Sequence, residues 1–214
     1  MFAYGEPEVL ADDSILLNGT SQGWWVSAVF KFKEDGALDT SFGNNGIAEI
    51  VFEANGGKHS NDLILQSDGK IVAVGDACVD RAGEDVTWHG ALPDRATIAG
   101  FNPNGTIDTD FAIAGGQQFN WTSLITFTDI KELSDGRLVV GATGNDGLDF
   151  HAYMARFNAN GSLDTTFDAN GWAEMDVFPN SVFKGFEVID DNHYFMLGNT
   201  VEPATPFMAS VWQP

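Results

Sequence analysis

One eleven-residue stretch is written three times, and it constrains the fold more than any other feature of the chain. It reads Phe32-Lys-Glu-Asp-Gly-Ala-Leu-Asp-Thr-Ser-Phe42, then Phe101-Asn-Pro-Asn-Gly-Thr-Ile-Asp-Thr-Asp-Phe111, then Phe157-Asn-Ala-Asn-Gly-Ser-Leu-Asp-Thr-Thr-Phe167. Each copy starts at an aromatic residue that closes a strand-like run and turns at Asn-Gly or Asp-Gly. An apolar residue, an Asp-Thr pair and a Phe then follow at fixed offsets. A pattern kept this long at wide spacing announces a repeat architecture, in which one supersecondary unit is stacked several times.

A second unit interleaves with the first. Two short apolar runs flank Asp68-Gly69 and again Asp135-Gly136, with degenerate copies around Asp13-Ser14 and Asp191-Asn192. Apolar runs on either side of Asp-Gly predict β-hairpins, because such turns need a positive φ at the central residues. The glycines ending these hairpins (Gly19, Gly75, Gly141 and Gly198) lie 56, 66 and 57 residues apart. The period is therefore about 56, with an insertion of about ten residues in the second unit. A final strand is expected in each complete unit, over residues 47–52, 119–125 and 172–178. Four strands in about 50 residues is the size of a propeller blade, and no segment shows a capped helical period. The fold class expected is all-β: a β-propeller-like array of four antiparallel blades in one domain, with units at 1–52, 53–125, 126–178 and 179–214.

The run Leu65-Gln-Ser-Asp-Gly-Lys-Ile-Val-Ala-Val-Gly75, and later Ala155-Arg-Phe-Asn-Ala-Asn-Gly-Ser-Leu-Asp-Thr-Thr-Phe167, resembles the delta-60 repeat, a β-propeller-like repeat of bacterial secreted and surface proteins. The resemblance covers nearly the whole chain. It implies architecture and an extracellular or surface setting, and brings no catalytic residues with it. The chain departs from the pattern at Asp13-Ser14 and Asp191-Asn192, where Asp-Gly is expected. Its fourth unit also runs to Pro214 without a Leu-Asp-Thr segment or a last strand. Residues 1–4 would supply that strand if the array closes within one chain. The alternative expectation is a homodimer joined through the terminal units, at residues 2–4 and 208–212, because an open sheet edge recruits another strand.

Composition narrows the partners. With 31 acids against 10 bases the formal net charge is -21, a field that repels nucleic acid and anionic membranes. It suits a cationic partner, or simply a solvated acidic surface. Apolar runs fall far short of the ~20 residues needed to span a bilayer. The N-terminus shows no leader-like segment, so the chain is expected to be extracellular with its leader removed, or cytoplasmic. Cys78 is the single cysteine, which rules out an intrachain disulfide.

Three groups of residues are candidates for chemistry. Asp39, Asp108 and Asp164 recur with the motif and are expected to hydrogen-bond turn backbone. The competing reading is a calcium site from Asn102, Asn104 and Asp108, and from Asn158, Asn160 and Asp164, whose oxygens stand at ligand spacings. No other cofactor is expected. The insertion breaks the period and carries Asp85, Trp88, His89 and Arg95. Trp24 and Trp25 sit in the variable loop of the first unit. Exposed aromatics beside carboxylates suit sugar stacking or a protein partner, whereas Trp121, Trp172 and Trp212 are expected to fill gaps between blades. Asn18, Asn104 and Asn160 match a glycosylation sequon and equally fit plain Asn-Gly turns. The function expected is a non-catalytic binding or assembly module, secreted or surface-displayed, with a carbohydrate or protein ligand. The alternatives are a propeller hydrolase or lyase acting on a polysaccharide, and a structural piece of a longer array.

Overall fold

The apolar runs flanking each turn pair with one another and build four antiparallel sheets in succession. The computed structural model describes residues 2–21, 26–52, 58–78, 95–175, 180–201 and 203–212. The first sheet holds β1 (Phe2–Val9), β2 (Ile15–Ser21), β3 (Val26–Phe32) and β4 (Ile47–Ile50). The second holds β5 (Lys58–Leu65), β6 (Ile71–Ala77), β7 (Arg95–Phe101) and β8 (Gly116–Phe119). The third holds β9 (Leu124–Glu132), β10 (Leu138–Asn145), β11 (Phe150–Phe157) and β12 (Trp172–Glu174). The fourth holds β13 (Ser181–Asp190), β14 (His193–Thr200) and β15 (Pro206–Trp212). In every sheet each strand pairs with its sequence neighbour. No helix occurs among the described residues.

The sheets stack face to face in chain order. Strand β5 packs on β1, β2 and β3; β9 packs on β5, β6 and β7; β13 packs on β9, β10 and β11. Residues from all four first strands line one shared cleft, so the sheets are arrayed around a common axis as propeller blades are. Burial follows from this stacking. The middle strands β6 and β7 are covered on both faces and read as continuous apolar runs, without alternation. The core is accordingly split into three seams. One centres on Leu16, Phe42 and Phe101, one on Val74, Phe127 and Phe157, and one on Met154, Phe167 and Tyr194.

The repeated stretch joins one blade to the next. Gly105, in the Asn-Gly turn of the second unit, lies so close to the first unit that a Cβ there would sit 2.9 Å from the Phe42 ring. Gly161 repeats this against Phe111, at 2.5 Å. Backbone bonds accompany both contacts: Gly43 N–H to Asn104 C=O at 2.8 Å, and Ala112 N–H to Asn160 C=O at 2.6 Å. The turn glycine and the closing phenylalanine of the motif are thus partners across a blade boundary. Phe167, in the last copy, is instead covered by Arg156, whose guanidinium carbon stands 5.0 Å from the ring centroid.

Four expectations need correction. The turn of the first unit matches the others at Asp12-Asp13, one residue earlier than Asp13-Ser14. Asp12 Oδ1 accepts the Ser14 amide as Asp68 Oδ1 accepts that of Lys70, and Asp13 adopts φ 60°, in the place of Gly69 at 85°. Asp tolerates the left-handed region better than most residues. The Asp-Gly hairpins also need a positive φ at one residue only: Gly69 and Gly136 have it, and Asp68 and Asp135 do not. Residues 2–4 belong to β1 and pair with β2 of their own sheet; they are not a last strand for the fourth. Finally, the last strand of the second unit is β8, which ends at Phe119, while Leu124 already opens β9. The apolar character of residues 119–125 hid a blade boundary, because a last strand and the following first strand run almost without a break.

Candidate functional site

The three recurrent aspartates are consumed by their own corners. The backbone C=O of Asp39, Asp108 and Asp164 accepts the amide of Phe42, Phe111 and Phe167 respectively, at 3.0 Å each time. Their Oδ1 atoms accept the amides of Ser41, Asp110 and Thr166. Each remaining oxygen faces a cation: Lys31 Nζ at 3.8 Å for Asp39, Lys70 Nζ at 2.8 Å for Asp108, and Arg156 Nε at 2.7 Å for Asp164. Burial opposes the charge on Asp164, but the Thr166 hydroxyl and amide and the Arg156 guanidinium outweigh it and bring the pKa down to about 2. The amides proposed as calcium ligands are engaged locally. Asn104 Oδ1 accepts from Thr106 and Asn160 Oδ1 from Ser162, while Asn102 and Asn158 donate to those same hydroxyls.

A different set of residues converges at the axis, and periodicity puts it there. Strands β5, β9 and β13 each carry a bulge at the same position, occupied by Asn61, Thr128 and Lys184. A bulge re-aims the side chains around it. The next position holds Asp62, Asp129 and Gly185. Asp62 Oδ2 accepts the Ile130 amide at 3.0 Å, and Asp129 Oδ2 accepts the Phe186 amide at 3.2 Å, so each carboxylate reaches forward into the next blade. Burial pushes Asp62 up to about 7, opposed by the Ile130 amide and helped by the negative Asp129. Burial likewise raises Asp129, against the pull of the Phe186 amide and Lys131.

This pair sits on one wall of an open cleft of about 370 Å³ that also meets Glu6, Lys131, Lys184 and Glu187. Lys131 is neutralised by Glu187 at 2.9 Å. Lys184 is exposed and makes no ion pair among the described residues. Behind the bulge Asn61 Nδ2 donates to Asp76 Oδ2 at 3.0 Å and to Phe127 C=O at 2.8 Å. Thr126 and His59 also bond to Asp76. That hydrogen bond raises the His59 pKa against the effect of burial.

Of the residues singled out from the sequence for ligand binding, Trp24, Trp25, Asp85, Trp88 and His89 lie outside the described residues. Arg95 opens β7, half-buried, with a buried Nε that has no hydrogen-bond partner among the described residues. Trp121 and Trp172 are half-buried and stacked on each other, with centroids 5.2 Å apart and planes at 9°, against the core between the second and third blades. Sequence reasoning passed over Asp62 and Asp129. The signal was present: each stands four residues before the residue that begins its hairpin turn, Gln66 or Leu133.

No curated protein matches the chain. A family model described as "Domain of unknown function (DUF5122) beta-propeller" matches residues 133–167, the stretch from the third hairpin turn to the close of the third motif. The match and the four stacked antiparallel sheets agree on a β-propeller-like protein.

Proposed function

We propose that the protein is a non-catalytic β-propeller binding module of the delta-60 repeat type, secreted or displayed at a surface, whose ligand is a carbohydrate or a protein. One observation carries this reading: constant and variable positions do different jobs. The recurring residues are spent on joints, as in Gly105 on Phe42, Gly161 on Phe111 and Asp164 on Arg156. The positions facing the axial cleft change from unit to unit, from Asn61 to Thr128 to Lys184, and from Asp62 to Asp129 to Gly185. A rigid repeated frame that presents unlike side chains at one concave mouth suits recognition of an asymmetric ligand. The aromatic and polar residues Trp24, Trp25, Asp85, Trp88 and His89, with Arg95 at the start of β7, add the chemistry for a sugar face or a protein surface. The net charge of -21 favours solubility and turns nucleic acid away.

A glycan array, followed by titration of tryptophan fluorescence with each hit, tests the reading. Saturable binding that leaves the glycan intact supports it. A second reading, a hydrolase or lyase acting on polysaccharide, would take its general acid from Asp62, whose raised pKa of about 7 leaves it partly protonated near neutral pH at the axial cleft. New reducing or unsaturated ends after incubation with polysaccharide would establish that second reading instead.

A further inference from the structure

We propose that the axial cleft binds a small zwitterion of the amino-acid class, its ammonium group against Asp62 and Asp129 and its carboxylate against Lys184. This rests on the binding-module reading in taking the same axial cleft as the recognition site, and gives that cleft a small-molecule ligand.

The cleft holds two electrostatic features of opposite sign, each incomplete. On one wall stand two half-buried carboxyls from neighbouring blades, each accepting a backbone amide of the next blade, Ile130 for Asp62 and Phe186 for Asp129. Burial, helped by the negative Asp129, raises the Asp62 pKa to about 7, so this carboxyl is partly protonated near neutral pH. On the facing strand Lys184 projects from the bulge of β13, exposed and without an ion pair among the described residues. The other charged groups around the cleft do not complete either feature. Lys131 is already held by Glu187, and Glu6 is exposed. Gly185 leaves room between the two features: it takes the place of Asp62 and Asp129 in the fourth unit, and a Cβ there would still clear Asp129 Oδ2 at 3.7 Å.

A ligand with a single charge satisfies one feature and is opposed by the other. A simple cation meets the carboxyl pair but also Lys184. A simple anion meets Lys184 but also the carboxyls and the field of a chain with net charge -21. A zwitterion is neutral overall, escapes the long-range penalty and completes both. The cleft, at about 370 Å³, lies within the usual size range of small-ligand sites. As the ammonium group enters, the proton held by Asp62 leaves to solvent, since the incoming cation stabilises both ionised carboxylates.

Calorimetry with L-alanine, L-serine and L-glutamine tests the proposal, with alaninamide (cation only) and propionate (anion only) as controls. Saturable binding of at least one amino acid is expected, roughly tenfold or more tighter than either control. Its heat at pH 7 should change with the ionisation enthalpy of the buffer, because a fraction of a proton is released. Affinity should rise from pH 5.5 to pH 8. Lys184→Ala should weaken amino-acid binding about tenfold and strengthen alaninamide binding, since the opposing positive charge is removed. Gly185→Asp, which the backbone there accepts, should block the cleft. Absence of binding by the folded protein, no effect of Lys184→Ala, or a heat independent of buffer would overturn the zwitterion site. Binding of a glycan or protein that Gly185→Asp abolishes, with no binding of any amino acid, would overturn the zwitterion site and leave the module reading standing, so the two readings fail separately.

Discussion

At the residue scale the same side chain does unequal work in different copies of the repeat. Asp39 and Asp164 hold equivalent places, yet Asp39 faces a lysine at 3.8 Å while Asp164 neutralises Arg156, whose side chain is 5% exposed. Removing Asp164 strands a buried guanidinium, and breaking a buried pair from one side is the costly case. Asp164→Ala should therefore lose about 3 kcal/mol in urea denaturation, and Asp39→Ala distinctly less. The low pKa of Asp164 adds a pH signature: its contribution is present above about pH 4 and fades as pH falls toward 2. Asp62 has the opposite sign. Its folded pKa is raised, so the native state binds the extra proton and the stability contribution falls as pH rises from about 4 through 7. Asp62→Asn keeps an acceptor for the Ile130 amide and removes that dependence. The variant should melt higher than the parent at pH 8, by an amount on the order of 1–3 kcal/mol, and should lose the advantage at pH 4.5. Equal melting curves at both pH values would show that burial does not raise the Asp62 pKa.

At the scale of elements, the joints between blades separate backbone need from packing need. Gly136 and Gly161 have nearly the same left-handed φ, 84° and 76°. A Cβ at Gly136 would meet only Ala159 at 3.7 Å, whereas at Gly161 it would overlap the Phe111 ring. Gly136→Ala should cost about 1 kcal/mol, the left-handed penalty alone. Gly161→Ala should cost at least about 2 kcal/mol more, as overpacking of a blade joint. Similar losses for the two would mean that the glycine is kept for its φ and not for the contact. The seam between the first two blades is built differently from the others. Asn18 Oδ1 and the hydroxyls of Thr20, Ser27 and Ser60 are buried there without a partner among the described residues, beside a void of about 10 Å³ lined by Ser27, Ser60 and Thr97. That is room for about one water. If a water bridges them, Ser60→Ala should destabilise the fold by about 1 kcal/mol; a gain in stability would show the seam to be dry.

At the scale of the whole molecule, the outer edges of the four sheets are unequal. Strands β4, β8 and β12 are four, four and three residues long, while β15 runs for seven. Short outer strands blunt a sheet edge. The long β15 edge carries no further strand among the described residues, and Met208 on it is 66% exposed. A homodimer joined edge to edge through the terminal blades, at residues 208–212 and 2–4, is the assembly this favours. Light scattering at micromolar concentration should give twice the chain mass of 23.1 kDa, and Ala209→Pro should return the monomer. A monomer across the concentration range would remove the dimer.

The sequence by itself determined the architecture, because the devices that build it are local. Asp-Gly and Asn-Gly turns, short apolar runs between them and a recurring eleven-residue motif specify strands, hairpins and period from neighbours a few residues apart. Even so, the first hairpin read one residue late, since Asp13 does the work of a glycine through its φ and not its identity. Only the tertiary structure decided what the repeats are for. That Gly161 faces Phe111, or that Asp164 is spent on Arg156, depends on side chains brought together across a blade boundary. The axial cleft is the extreme case. Asp62, Asp129 and Lys184 lie more than fifty residues apart in succession, on three strands of three sheets. Their chemistry arises from burial and mutual approach around the axis, quantities with no counterpart in linear order.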